Sequence, residues 1–163
     1  MLVRRALIAL AALALWCGGA AQGVAQERKP NAKETAAIRA CAERYDSNVA
    51  EAERRCLFNL VAMPCTKRPQ ARSEHGTADC YRTEQEIWER LLDENLKALT
   101  EDLDDGQKKK LDAMQSAWAI YRTSTCEFYY DKIQGSMANS MIAACLARET
   151  ARRALLIDFF RGL

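Results

Sequence analysis

The sequence predicts an all-α fold, a disulfide-bonded bundle of about four to five antiparallel helices. Three observations lead there. Apolar side chains recur at three- and four-residue spacing through most of the chain, and no stretch alternates as a strand would. Only 3 prolines and 7 glycines punctuate the 163 residues. Six of the 7 cysteines lie beyond an N-terminal apolar leader, an even set of the kind a disulfide framework requires. A chain of this length makes one domain with a core of its own, with 49% hydrophobic and 28% charged residues as in ordinary globular proteins.

The leader comes first. Arg4 and Arg5 precede an apolar run from Ala6 to Trp16, and small residues follow through Gly23, Val24 and Ala25. This is the pattern of a signal peptide over residues 1–25, cleaved after Ala25, with the mature chain 26–163 starting near Gln26. The run is shorter than the roughly 20 residues a spanning helix needs, so no stable membrane span is expected. Cys17 raises the alternative of a lipid anchor, but that processing needs a small residue just before the cysteine, and Trp16 stands there. The expected location is periplasmic or secreted.

Residues 26–32 are polar and read as a frayed start. From Lys33 to about Tyr45 the alanine-rich composition favours a first helix. Asp46, Ser47 and Asn48 then offer a turn and an N-cap for a second helix running to about Met63, with Pro64 as its stop. The stretch 65–80 holds Pro69, Ser73, Gly76 and Thr77 without apolar periodicity and reads as the one long loop. Thr83 to Glu86 has the form of a capping box opening a third helix, along which Trp88, Leu91, Leu92, Leu96, Leu99 and Leu103 mark an apolar stripe. Asp104, Asp105 and Gly106 break it. A fourth helix from about Gln107 carries Leu111, Met114, Trp118, Tyr121 and Phe128. After a turn at Gln134, Gly135 and Ser136, a fifth runs from about Ser140 to Phe160.

The cysteines of the mature chain are Cys41, Cys56, Cys65, Cys80, Cys126 and Cys145. An exported chain meets an oxidising compartment, which favours disulfides over free thiols. With no Cys-x-x-Cys spacing and His75 as the lone histidine, no metal or other cofactor is expected. Cys126 and Cys145 stand about equally far from the Gly135 reversal, so an antiparallel hairpin brings them to one height. For the other four, three connectivities are open; closure of the long loop favours Cys65 with Cys80, which leaves Cys41 with Cys56.

Charge excludes one partner class. Removing Arg4 and Arg5 from the 24 basic residues leaves 22 against 22 acidic ones, so nothing favours nucleic acid. The distribution is uneven. Glu84, Glu86, Glu89, Asp93, Glu94, Glu101, Asp102, Asp104 and Asp105 face only Arg90 and Lys97 between residues 84 and 105, a local charge of minus seven. Enzyme chemistry finds no support: no Gly-x-Ser-x-Gly, no His-Glu-x-x-His and no glycine-rich phosphate loop occur, so no catalytic residue is assigned.

One segment carries a resemblance. Gln115-Ser-Ala-Trp118-Ala-Ile-Tyr121-Arg122 with Cys126 four residues on, then Gly135-Ser136, then Cys145, Thr150 and Arg153, resembles the signature of the lysozyme inhibitor LprI-like domain family. Upstream, Cys56, Cys65, Cys80, Glu84, Trp88 and Leu91 to Asn95 resemble the family's first half, so the likeness spans most of the mature chain. The family often doubles the glycine before Ser136; here Gln134 takes that place, which should alter the turn and not the fold.

The resemblance implies an exported, disulfide-bonded helical envelope protein whose partner is a protein, with a lysozyme-type muramidase as the sharp candidate. A non-inhibitory structural or assembly module that binds another envelope protein or peptidoglycan is the alternative. Trp118, Arg122 and Cys126 share a helix face, so Arg122 is expected to pack its stem there and pair with an acid such as Glu149. Thr150 and Arg153 are expected to hydrogen-bond within the bundle. Two surfaces offer docking. The acidic run, with Glu86, Asp93 and Glu94, is either a solvated helix face or a steering surface for a cationic lysozyme. The loop 65–80 is either a surface insertion or a tethered probe whose Lys67, Arg68, Arg72 and His75 reach the catalytic carboxylates of a muramidase cleft.

Overall fold

A computed structural model describes residues 28–163, and in them six α-helices and one 3-10 turn succeed one another without a strand. The signal peptide, its cleavage after Ala25 and Cys17 lie outside the described residues. Among the described residues no helix is long and apolar enough to cross a membrane.

Helix α1 (Ala32–Arg44) begins at a capping box: Asn31 Oδ1 accepts from the Glu34 amide at 3.0 Å, and the Glu34 carboxylate accepts from the Asn31 amide at 3.1 Å. Helix α2 (Val49–Cys56) is capped by Asn48, whose side chain accepts from the Glu51 amide. It stops at Cys56, well short of Met63. The chain leaves the helix at Leu57, whose ψ of 125° is extended, and turns back through Phe58, whose φ is 65°, and a five-residue helix α3 (Ala62–Thr66) follows. Pro64 therefore lies within the first turn of α3, where its missing N–H leaves no bond unmade, and it does not act as a stop.

Helix α4 (Glu74–Glu101) departs furthest from the sequence reading. It begins just after the 3-10 turn Pro69–Ala71, so half of the expected loop is helical. Its cap is Ser73, whose hydroxyl accepts from the Gly76 amide at 3.0 Å. Thr83 is no cap: buried in the third turn of the helix, it donates its hydroxyl to the Asp79 carbonyl at 2.7 Å. Helix α5 (Asp105–Ile133) opens with a reciprocal box between Asp104 and Gln107, and α6 (Ser136–Arg161) starts four residues earlier than expected.

Helices α4, α5 and α6 run up, down and up. The central pair is α4 with α6, parallel to each other: Ser140 donates to Glu74 at 2.6 Å near one end, and Arg161 donates to Asn95 at 2.8 Å near the other. The α1–α2 hairpin packs over this pair. Ile38, Ala52, Cys56, Val61, Ile87, Trp88, Leu91, Leu92, Ala151, Leu155 and Ile157 form one buried cluster, to which α5 adds only Leu111 fully and Met114 and Trp118 in part.

Three disulfides fasten neighbouring elements: Cys41–Cys56 joins α1 to α2, Cys65–Cys80 joins α3 to α4, and Cys126–Cys145 joins α5 to α6. Their sequence separations are 15, 15 and 19 residues, and each closure restricts the unfolded chain by about 3 kcal/mol in the chain-entropy account.

Candidate protein-docking surface

Residues 65–80 form a stapled corner. Between the bridged Cys65 and Cys80, the 3-10 turn lies directly on the first turn of α4. Gly76 makes that approach possible: a Cβ there would stand 2.5 Å from the Gln70 carbonyl oxygen and 2.8 Å from Ala71 Cα. Thr77 Oγ1 donates to the Ala71 carbonyl at 2.9 Å, and Ala71 is buried against the two cysteines. A backbone held in this way loses little further freedom when a partner docks on it.

The outside of the corner is cationic. Lys67, Arg68, Arg72 and His75 are all exposed. His75 Nε2 lies 3.3 Å from Asp79 Oδ2, whereas no carboxylate among the described residues forms an ion pair with Lys67, Arg68 or Arg72. Arg68 also borders a shallow depression of about 290 Å³ lined by Arg28, Gln70, Asp79 and the Cys65–Cys80 bridge.

The acidic run is distributed differently from its local sum. Glu84 is fully buried and accepts three hydrogen bonds, from the Phe58 amide at 2.7 Å, the Ala62 amide at 2.8 Å and Trp88 Nε1 at 3.1 Å. Burial pushes its carboxyl above the usual range, and those three bonds pull the other way. Glu86 pairs with Lys29 at 2.7 Å and Glu94 with Arg39 at 2.8 Å, both cations arriving from the N-terminal segment. Glu89 lies 3.7 Å from Arg122 of α5. Asp93 is exposed, and Glu101, Asp102, Asp104 and Asp105 crowd the α4–α5 turn beside Lys108, Lys109 and Lys110.

The motif residues of α5 and α6 meet around an indole. Arg122 Cζ stands 4.7 Å and Arg153 Cζ 5.6 Å from the Trp118 ring centroid. Arg122 does not pair with Glu149: it donates to Thr150 Oγ1 at 3.0 Å, while the Glu149 carboxylate takes Arg152 at 2.9 Å. One step along a helix turns the side chain by 100°, so Glu149 and Thr150 face different neighbours. Arg153 donates to Gln115, and burial holds its guanidinium below its ordinary pKa. Tyr121 and Phe128 depart from the expected core stripe and are exposed, because Leu111, Trp118, Arg122 and Cys126 set the inner face and both lie well round the helix from it. Gly135 has a φ of 78° and Ser136 opens α6.

Sequence reasoning missed Gly76, Thr77 and Glu84 as the residues that fix the corner and the turn before it. Ser73 followed by Gly76 was the available signal for the true start of α4. Nothing in an acidic run marks out the one carboxylate that points inward.

A family model described as lysozyme inhibitor LprI matches residues 65–155. The match begins at Cys65 and takes in the corner, α4, α5 and most of α6. No curated protein and no solved structure matches the chain.

Proposed function

The chain belongs to the LprI family of lysozyme inhibitors, and on that premise we propose that it is an exported inhibitor of lysozyme-type muramidases that docks through the stapled corner at residues 65–80. One observation carries the reading: Lys67, Arg68 and Arg72 are exposed cations with no ion-pair partner among the described residues, on a backbone already fixed by a disulfide, inside the matched span. Lysozyme-type muramidases cleave with a pair of carboxylates flanking the scissile bond. A rigid cationic protrusion is complementary to such a cleft, and an arginine fork can take a carboxylate bidentately. Seated there, the corner excludes substrate without being cleaved, since it offers no glycosidic bond.

The rival surface on α4 is less suited to this role. Lys29 and Arg39 offset Glu86 and Glu94, which leaves Asp93 along the helix and Glu101, Asp102, Asp104 and Asp105 at its end, where Lys108, Lys109 and Lys110 follow and weaken any field that would steer a cationic lysozyme. Three disulfides suit an oxidising compartment outside the cytoplasm, and export through the leader at residues 1–25 completes the reading.

The test is a turbidity assay of cell-wall lysis with the oxidised chain starting at Gln26, and the reduced chain as control. Inhibition by the oxidised form, declining between low and physiological ionic strength, is the expected result. Absence of inhibition across c-type, g-type and bacterial muramidases contradicts it and turns the search to other envelope proteins or peptidoglycan.

A further inference from the structure

Helix α5 has two faces, and among the described residues only the inner one packs against another helix. On the outer face Ile120, Tyr121 and Phe128 are 70%, 53% and 55% exposed, with Ala113, Ala117 and Ser124 exposed among them. At 100° per residue these six side chains fall on one stripe about 100° wide, the width by which a helix packs on a neighbour. Lys110 and Asp131 close the stripe at its two ends, both exposed and neither in an ion pair with any described residue.

The chemistry of this stripe is self-complementary when turned end over end. About the midpoint between Ile120 and Tyr121, the rotation sets Lys110 against Asp131 of a second copy, twice. It sets Ala113 against Phe128, small against large, and Ala117 against Ser124, two small residues that let the helix axes approach. Ile120 then meets Tyr121 at the centre. A parallel arrangement would instead stack Lys108, Lys109 and Lys110 on their own copies. We propose that the chain forms a two-fold, antiparallel dimer through the outer face of α5.

The strip from Lys110 to Asp131 is about 32 Å long, at 1.5 Å per residue. One helix from each chain buries an area at the low end for specific association, which suits a reversible dimer with a dissociation constant in the micromolar range. The docking corner lies near the C-terminal end of α5, since Glu74 beside it bonds Ser140 in the second turn of α6. An antiparallel dimer therefore carries its two corners at opposite ends.

Light scattering and sedimentation equilibrium on the oxidised chain from Gln26, across about 1 to about 500 μM, test this. The expected result is a mass that rises from one chain to two. Ile120→Glu should raise the dissociation constant by about tenfold or more with an unchanged melting curve. Lys110→Asp should weaken the dimer, and Lys110→Asp combined with Asp131→Lys should restore it, a rescue that misfolding cannot imitate. A single-chain mass at every concentration overturns the proposal, as does a dimer that neither Ile120→Glu nor the single charge reversal weakens. A single-chain protein whose binding to a muramidase or to anionic vesicles is lost in Ile120→Glu also overturns it, by giving the face to a different partner.

Discussion

Helices α4 and α5 are close in length, 28 and 29 residues, adjoin in the chain and carry similar densities of charge. Their surroundings differ sharply. Helix α4 is contacted by α1, α3, the 3-10 turn and α6, and buries Ile87, Trp88, Leu91, Leu92 and Leu99 together with the polar Thr83 and Glu84. Helix α5 lies mainly on α6 and buries only Leu111 and Cys126. The first is held by packing, and the second by a disulfide, an indole between two guanidiniums and a cap at its start. An apolar period in a sequence shows that a helix has a face, but not how many neighbours that face will meet. The same difference decides which tryptophan, which carboxylate and which turn the fold depends on.

The largest contrast should be between the two tryptophans. Trp88 has no exposed surface, so Trp88→Ala should cost about 3–5 kcal/mol. Trp118 is partly exposed and packs only against the edge of the core, so Trp118→Ala should cost about 1–2 kcal/mol, mostly lost stacking with Arg122 and Arg153. Urea denaturation with the disulfides intact measures both, and equal losses would break the comparison.

Next in size is Glu84 of α4. Replacement by Gln puts an amide donor where one of three N–H groups now finds an acceptor, and should cost about 2 kcal/mol. A carboxyl whose pKa is raised by folding holds its proton more tightly folded than unfolded. Its contribution to stability is therefore greatest below the ordinary carboxylate range and is lost as pH rises through the folded value. Asp158, raised chiefly by burial, acts in the same direction. Stability measured from acid to neutral pH should thus carry a falling component that Glu84→Gln reduces, leaving the share of Asp158.

The smallest effect sharpens the view of α5. Gln134, at its end, has a φ of 54° and a ψ of 157°, a backbone that glycine adopts without strain. Gln134→Gly should stabilise the chain by about 1 kcal/mol in the same denaturation assay. A loss of stability there would mean that the turn depends on the glutamine side chain.

What was legible in the sequence was local. The start of α5, its reversal at Gly135 and the heights of Cys126 and Cys145 follow from caps, spacing and helix rise within about forty residues. The end of α2 and the start of α4 were not legible, because both rest on contacts made across the fold. Glu84 holds the turn at Phe58 from 26 residues away, and Gly76 matters for a backbone laid against it. Thr83 to Glu86 satisfied the pattern of a cap, but the Cys65–Cys80 bridge and the burial of Ala78 and Cys80 carry the helix through it. The partners of the acids over residues 84–105 were not legible for a related reason: Lys29, Arg39 and Arg122 come from other elements.

The most direct test of the docking corner compares two triple variants in the lysis assay. Arg68→Ala, Arg72→Ala and His75→Ala together should weaken inhibition by about tenfold or more while leaving the melting temperature unchanged, since all three side chains are exposed. Glu86→Gln, Asp93→Asn and Glu94→Gln together should leave potency nearly as it was. The reverse pattern, with full potency in the corner variant and loss in the α4 variant, would contradict the account and place the muramidase on the acidic helix.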